Sequence, residues 1–173
     1  MAELEISPEH GTDPDNRRVG VLISVISIIL SVFTIVSHRS HTQAVIHRTE
    51  ANDQWAFYQA KKIRENNSDV ALSLLESIGA DPGKSAATVQ KLTAARDKYA
   101  NDAKGIMADA QTKDSESELE ERRALYYDIA EGLLEIGLVL SSLFFLSRNH
   151  FFPVIGLVAS IAGIAVGLLG FRL

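Results

Sequence analysis

Two stretches of this chain run uncharged for long enough to cross a bilayer. Residues 19–37 (VGVLISVISIILSVFTIVS) span 19 positions and residues 151–171 (FFPVIGLVASIAGIAVGLLGF) span 21, with no Asp, Glu, Lys or Arg in either. At about 1.5 Å of rise per residue, a helix of either length covers roughly 30 Å, the thickness of a membrane's hydrocarbon core. A third stretch, 127–147 (YDIAEGLLEIGLVLSSLFFLS), is as long but contains Asp128, Glu131 and Glu135. Only SRNH (147–150) separates it from the last run, which predicts a tight antiparallel hairpin of two membrane helices. A soluble amphipathic helix is the alternative for 127–147. The expected fold class is all-α: an integral membrane protein with three transmembrane helices (19–37, 127–147 and 151–171) and a helical, coiled-coil-like soluble insert over 38–126.

The first apolar run does not read as a cleavable signal. It follows 18 residues of which five are acidic, it exceeds the roughly 7–15 apolar residues of a signal core, and no small-x-small site follows it. The absence of Cys excludes a disulfide framework and thiolate chemistry. A net charge of −5 speaks against a nucleic-acid binder, which presents a basic surface.

Residues 1–18 begin with an acidic, Pro- and Gly-containing segment of low apolar content and are expected to be a disordered tail. The stretch 38–126 holds 13 Lys/Arg against 14 Asp/Glu. Ala, Glu, Lys, Gln and Leu dominate it, which favours helix. Residues 38–65 are expected to continue the first membrane helix, with NNS (66–68) as a break. A short helix over 69–78 should end at Gly79. DPG (81–83) reads as a turn with Pro82 opening the next helix. Over 85–111 the residues Val89, Leu92, Tyr99, Ala103, Ile106 and Ala110 make a heptad-like seam interrupted by Arg96. QTKDS is expected to loosen the chain. Ser115 with Glu118 then forms an S-x-x-E capping box for a helix that enters the membrane.

The segments SHRSHTQAVIHRTEANDQWAFYQAKKIRE and YYDIAEGLLEIGLVLSSLFFLSRNHFF resemble the bacterial membrane proteins known as domain of unknown function 4337. The resemblance covers roughly 17–171, and ANDQWAFYQAKKIR is its most specific part. It implies a bacterial inner-membrane protein with three spans and a helical insert, and it carries over no catalytic residue. Arginines near the membrane edges number three on the tail side (Arg17, Arg18, Arg148) and five on the insert side (Arg39, Arg48, Arg122, Arg123, Arg172). By the positive-inside rule this favours a cytoplasmic insert.

Trp55, the chain's single tryptophan, lies 18 residues past Ser37, roughly 27 Å along a straight helix. That is too far for a headgroup belt. Trp55 and Tyr58 are therefore expected to anchor the insert by packing on the 85–111 seam. Ala56, Ala60 and Ile63 form a second strip on the same helix, as in a helix wedged between others. The alternatives are a bend near His38–His41 that lays this helix on the membrane, with Lys61, Lys62 and Arg64 at headgroups, or a docking role for the rings.

Within the apolar runs, Ser24, Ser27, Ser31 and Thr34 fall on one face of the first, and Gly156, Ser160, Gly163, Gly167 and Gly170 on one face of the third. Small residues let membrane helices approach closely, so both stripes are expected to be packing faces. Asp128, Glu131 and Glu135 share a face of the second run. Glu135 lies roughly 12 Å past Tyr127, near the midplane, where it must face protein or water, or carry a proton. Ser27 and Ser31 are at matching depth. Glu135, Glu131, Ser27 and Ser31 are the candidate proton or cation site, with Glu131 nearer the edge. The bland reading is a protonated Glu135 that ties two helices together.

GADPGKS (79–85) fails the phosphate-loop spacing because Ile78 stands where a glycine is required, so no nucleotide is expected. His38 and His41, with His47 nearby, could bind a metal, but no carboxylate completes the set at helical spacing, so no metal is expected. No cofactor and no catalytic residue follows from the sequence. The expected function is a non-enzymatic membrane scaffold or accessory subunit, a homo-oligomer or part of a membrane complex. The alternative is an oligomeric proton- or cation-conducting subunit, similar only in layout to the proton-channel subunits of energy-coupling motors.

Overall fold

The computed structural model describes residues 14–79 and 81–173. The segment 1–13, expected to be a disordered tail, lies outside the described residues. Helices α1 (Pro14–Ser77), α2 (Pro82–Ser142), α3 (Phe144–Ser147) and α4 (Phe151–Gly170) follow one another, and no strand occurs among the described residues. Three helical stretches, in α1, in α2 with α3, and in α4, are long and apolar enough to cross a membrane.

The helix boundaries differ from the expected ones in four places. First, α1 begins at Pro14, so residues 14–18 belong to a helix and not to the tail. Proline has no N–H to leave unpaired in a first turn, and Asp15 there suits the positive end of the helix dipole and pairs with Arg18 at 3.5 Å. Second, NNS does not break the helix. Ser68 is buried, its hydroxyl donating to the Arg64 carbonyl at 3.1 Å, while Asn66 and Asn67 point outward. Third, QTKDS does not loosen α2, and Ser115 caps nothing, because its hydroxyl donates back to the Gln111 carbonyl at 3.0 Å. Without Gly or Pro, such segments cost a helix only a few tenths of a kcal/mol per residue, roughly, and tertiary contacts override that. Fourth, the run 127–147 is interrupted at Leu143, between α2 and the short α3.

The expected turn at the other end of α1 is present. Gly79 takes the left-handed conformation (φ 61°), and its N–H bonds the Glu76 carbonyl at 3.1 Å. Asp81 then caps α2, its carboxylate accepting the Gly83 N–H at 2.9 Å.

The chain divides into two compact units. One holds the described part of Met1–His41 with Glu121–Leu173, and the other holds Thr42–Glu120. In the first, Ile26, Phe33, Tyr127, Ala130 and Leu134 form the core, flanked by Leu22, Leu30, Val36, Leu138 and Ile164. Much of the remaining buried surface is small: Ser37, Ser141, Gly156, Ser160, Gly163, Gly167 and Gly170. Val25, Ile28, Val32, Ile136, Val139, Val158 and Ile161 lie exposed on the outside.

The second unit pairs the 42–77 part of α1 with the 82–120 part of α2, antiparallel. Its buried alanines recur every seven residues, at Ala44 and Ala51 on one helix and at Ala103 and Ala110 on the other, with Ser117 one heptad further on. The small side chains let the backbones approach, and Ser117 donates to the Ala44 carbonyl at 3.0 Å. Ion pairs line the edges: Lys61–Asp102 at 2.7 Å, Arg48–Asp114 at 3.0 Å and Lys113–Glu50 at 3.0 Å.

These pairs give the second unit an acid limit. The Lys113 ammonium, hydrogen-bonded to Glu50, holds that carboxyl below its ordinary value of 4.5, and Lys61 does the same for Asp102 against 3.8. A carboxyl depressed in the folded state adds stability above its unfolded pKa, and that stability is lost as pH falls through the folded one. The melting temperature of the unit is therefore expected to be flat near neutrality and to fall below about pH 4. The fall is modest because the pairs are solvent-exposed. Melts of the Glu50→Gln/Asp102→Asn double variant should show a shallower acid dependence, and an unchanged slope would assign the effect elsewhere.

Candidate functional site

The polar groups of the first unit form a ladder between α1 and α2. Thr34 donates to Glu131 Oε1 at 2.7 Å, Ser37 donates to Asp128 Oδ1, and His41 Nε2 meets Asp128 Oδ2 at 3.0 Å. Helical spacing creates the ladder: 34, 37 and 41 fall on one stripe of α1, and 128 and 131 are one turn apart on α2. Hydrogen-bonded in this way, the carboxylates of Asp128 and Glu131 tie two helices together.

Glu135 stands apart from the ladder and is exposed. Ser27 and Ser31, expected to reach it, donate instead to the carbonyls one turn back on their own helix, at 2.9 Å each. Ser24 does the same. Each serine has one hydroxyl proton and spends it locally, so none donates to Glu135. The register that joins Thr34 to Glu131 brings Leu30, not a serine, level with Glu135. Ser24 and Ser31 are exposed and Ser27 half-buried. The buried face of α1 in this unit carries Val19, Ile26, Phe33, Ser37 and Ser40 instead. The serine stripe is thus not the packing face of α1, and only Thr34 of that set bonds another helix.

The stripe on α4 behaves differently. Gly156, Ser160, Gly163, Gly167 and Gly170 are all buried. Gly156 and Gly137 face each other so closely that a Cβ on Gly137 would stand 2.6 Å from the Gly156 carbonyl oxygen. A Cβ on Gly163 would stand 2.9 Å from the Ala130 carbonyl oxygen. Ser141 donates to the Gly137 carbonyl and Ser160 to the Gly156 carbonyl, each at 2.8 Å on its own helix. Every hydroxyl in the seam is therefore satisfied without the partner helix, and contact of bare backbone does the rest. Gly167 makes room for the Phe33 ring and Gly170 for Tyr127. Phe33, Tyr127 and Phe171 stack there with centroids 5.2–6.4 Å apart. Gly137 and Ser141 were not among the expected residues. Their small-xxx-small spacing inside 127–147 is the signal that would have found them.

In the second unit, Trp55 reaches past the 85–111 seam. Its indole N–H donates to Asp114 Oδ2 at 2.8 Å, the same carboxylate that Arg48 pairs with through Oδ1, and Tyr58 packs edge-on at 5.6 Å. Tyr58 lines a small recess with Ala100, Ala103 and Met107. Trp55 thus ties α1 to α2 through a charge-assisted hydrogen bond. His47 lies between Glu50 (3.5 Å) and Glu116 (3.3 Å).

Residues 15–173 match the model of one protein family, described as Domain of unknown function (DUF4337). No curated protein and no solved structure matches the chain.

Proposed function

The chain belongs to the DUF4337 family, whose description names no activity, and from that premise we propose that it is a non-enzymatic scaffold or accessory subunit of the bacterial inner membrane. It crosses the bilayer three times and presents the Thr42–Glu120 unit, a coiled-coil-like helical hairpin, on the cytoplasmic side. The observation that carries this reading is the distribution of side chains in the first unit. Glycine, serine and alanine fill much of its interior while valine, isoleucine and leucine cover its outside, the reverse of a water-soluble bundle and what a lipid solvent rewards. The carboxylates of Asp128 and Glu131 serve that bundle as ties.

The exposed Glu135 favours a second reading, a proton- or cation-conducting oligomer in which a neighbouring copy covers this group, since an uncovered carboxylate at that depth is costly. Flux measured in proteoliposomes under a pH gradient separates the two. The scaffold predicts no flux above protein-free vesicles and the same result for Glu135→Gln. Proton uptake that Glu135→Gln abolishes would replace the scaffold with the conductor.

A further inference from the structure

The outer face of α1 in the second unit carries a second seam. Ala56, Ala60, Ile63, Asn67, Val70 and Leu74 alternate in steps of four and three, the spacing of the core positions of a coiled coil. None of them faces α2. All six are exposed, Ile63 by 61% and Val70 and Leu74 by 59% each. In this register the helix pairs with α2 through one seam and leaves the other open.

We propose that this seam pairs with its own counterpart on a second copy of the chain, as a parallel, in-register coiled coil. Three observations select a copy as the occupant. Asn67 sits at the one polar position of the seam, at an a position of the heptad, where asparagine fixes register by bonding the same residue of an identical helix. An apolar partner would leave its amide unpaired, at a cost of about 1–3 kcal/mol.

The flanks are also self-compatible. In a parallel pair Gln59 faces Arg64, Asn66 faces Ala71 and Ser73 faces Ile78, so no like charges meet. Arg64, the single charge on these flanks, is drawn away over the Tyr99 ring of its own chain at 5.8 Å.

The third observation is the seam's weakness. It covers fewer than three heptads and includes two alanines, too little to associate from dilute solution. Two copies held in one bilayer in the same orientation meet parallel and level, and confinement to the membrane raises their effective concentration. This last argument rests on the membrane reading given above. The first two do not.

The natural chain contains no cysteine, so single cysteines report without background. Ile63→Cys, Asn67→Cys and Val70→Cys would be made in the full chain, with Lys62→Cys and Lys91→Cys as exposed controls off the seam, and oxidised by copper phenanthroline in native membranes. The seam variants should form a disulfide-linked dimer roughly ten times faster than the controls, as proximity at a fixed register requires. Adding Ile63→Glu and Val70→Glu to Asn67→Cys should abolish that advantage. Equal rates at all positions, no dimer, or a mixed disulfide with a different protein would each overturn the proposal. Because all substituted positions are exposed, misfolding does not cloud the result, and helix content by circular dichroism verifies it. Alkaline carbonate extraction of the same membranes tests the membrane reading separately. A chain that washes out would defeat that reading while the cross-linking pattern still decides the seam.

Discussion

Replacing Gly156 by valine will separate α4 from α2. A Cβ at position 156 stands 2.5 Å from the Gly137 carbonyl oxygen and 3.0 Å from the Ser141 nitrogen. Both obstacles are helical backbone, which cannot rotate aside as a flexible side chain would. The helices must move apart, and every contact along the stripe from Pro153 to Gly170 is lost in part. Overpacking a tight site costs about 1–3 kcal/mol, and a backbone obstacle puts this variant at the upper end. Reversible unfolding in mixed micelles, followed by the distance between labels on α2 and α4, would measure it. Gly132→Ala is the matched control, because nothing lies within 4 Å of its added methyl. There the change should be neutral or stabilise by up to about 1 kcal/mol through helix propensity. Equal losses at both positions would mean that glycine at 156 is not needed for close approach.

The second large effect is expected at Asp114. Its two carboxylate oxygens receive the Arg48 guanidinium and the Trp55 indole, so Asp114→Ala strips both donors at once. Hydrogen bonds to a charged group are worth about 1.5–3 kcal/mol when shielded. Here both ends of the ion pair are partly exposed, which brings the expected loss to roughly 1–2 kcal/mol. Asp114→Asn keeps one acceptor oxygen and should lose about half as much. Since Trp55 is the single tryptophan, its emission reports the site directly. A red shift should accompany the lowered melting temperature in Asp114→Ala. An unchanged emission maximum would show that the indole is held by packing alone.

The parts of this architecture legible in the sequence are those written in periodicity. Uncharged runs of 19 and 21 residues announce helices long enough to cross a membrane, and the α4 glycines lie on one stripe because each recurs three or four residues after the last. The heptad seam over 85–111 is likewise partly visible, with Ala103 and Ala110 at its buried centre. What escaped was decided by angle and by partner. Clusters such as NNS and QTKDS look like breaks by composition, yet Ser68 is buried and Asp114 fully engaged, so contacts made far along the chain keep both segments helical. The serines of α1 form a stripe but satisfy themselves, and a hydroxyl that bonds its own helix leaves no mark in the sequence. Depth along a helix matched Glu135 to Ser27 and Ser31, whereas rotation about the axis paired Glu131 with Thr34 and Asp128 with Ser37. Asp114 illustrates the same limit, since nothing local distinguishes it from its neighbours.

The link between α2 and α4 bears on how such a chain could be built. Only Leu143, the single turn of α3 and the residues Arg148, Asn149 and His150 separate the two apolar helices. Arg148 turns the corner with φ 54°, and the Asn149 side chain accepts the Phe151 N–H at 2.9 Å to start the next helix. In a bilayer, the segment that carries Asp128, Glu131 and Glu135 would partition poorly alone, while α4, free of charge, would partition well. So short a corner denies them separate fates. The strongly apolar helix would draw its acidic neighbour in behind it, with the glycine seam already closed. Lengthening this corner by a flexible insertion should therefore leave the acidic segment stranded on the side where it was synthesised, a defect of biogenesis caused without changing any residue of the glycine seam or the polar ladder.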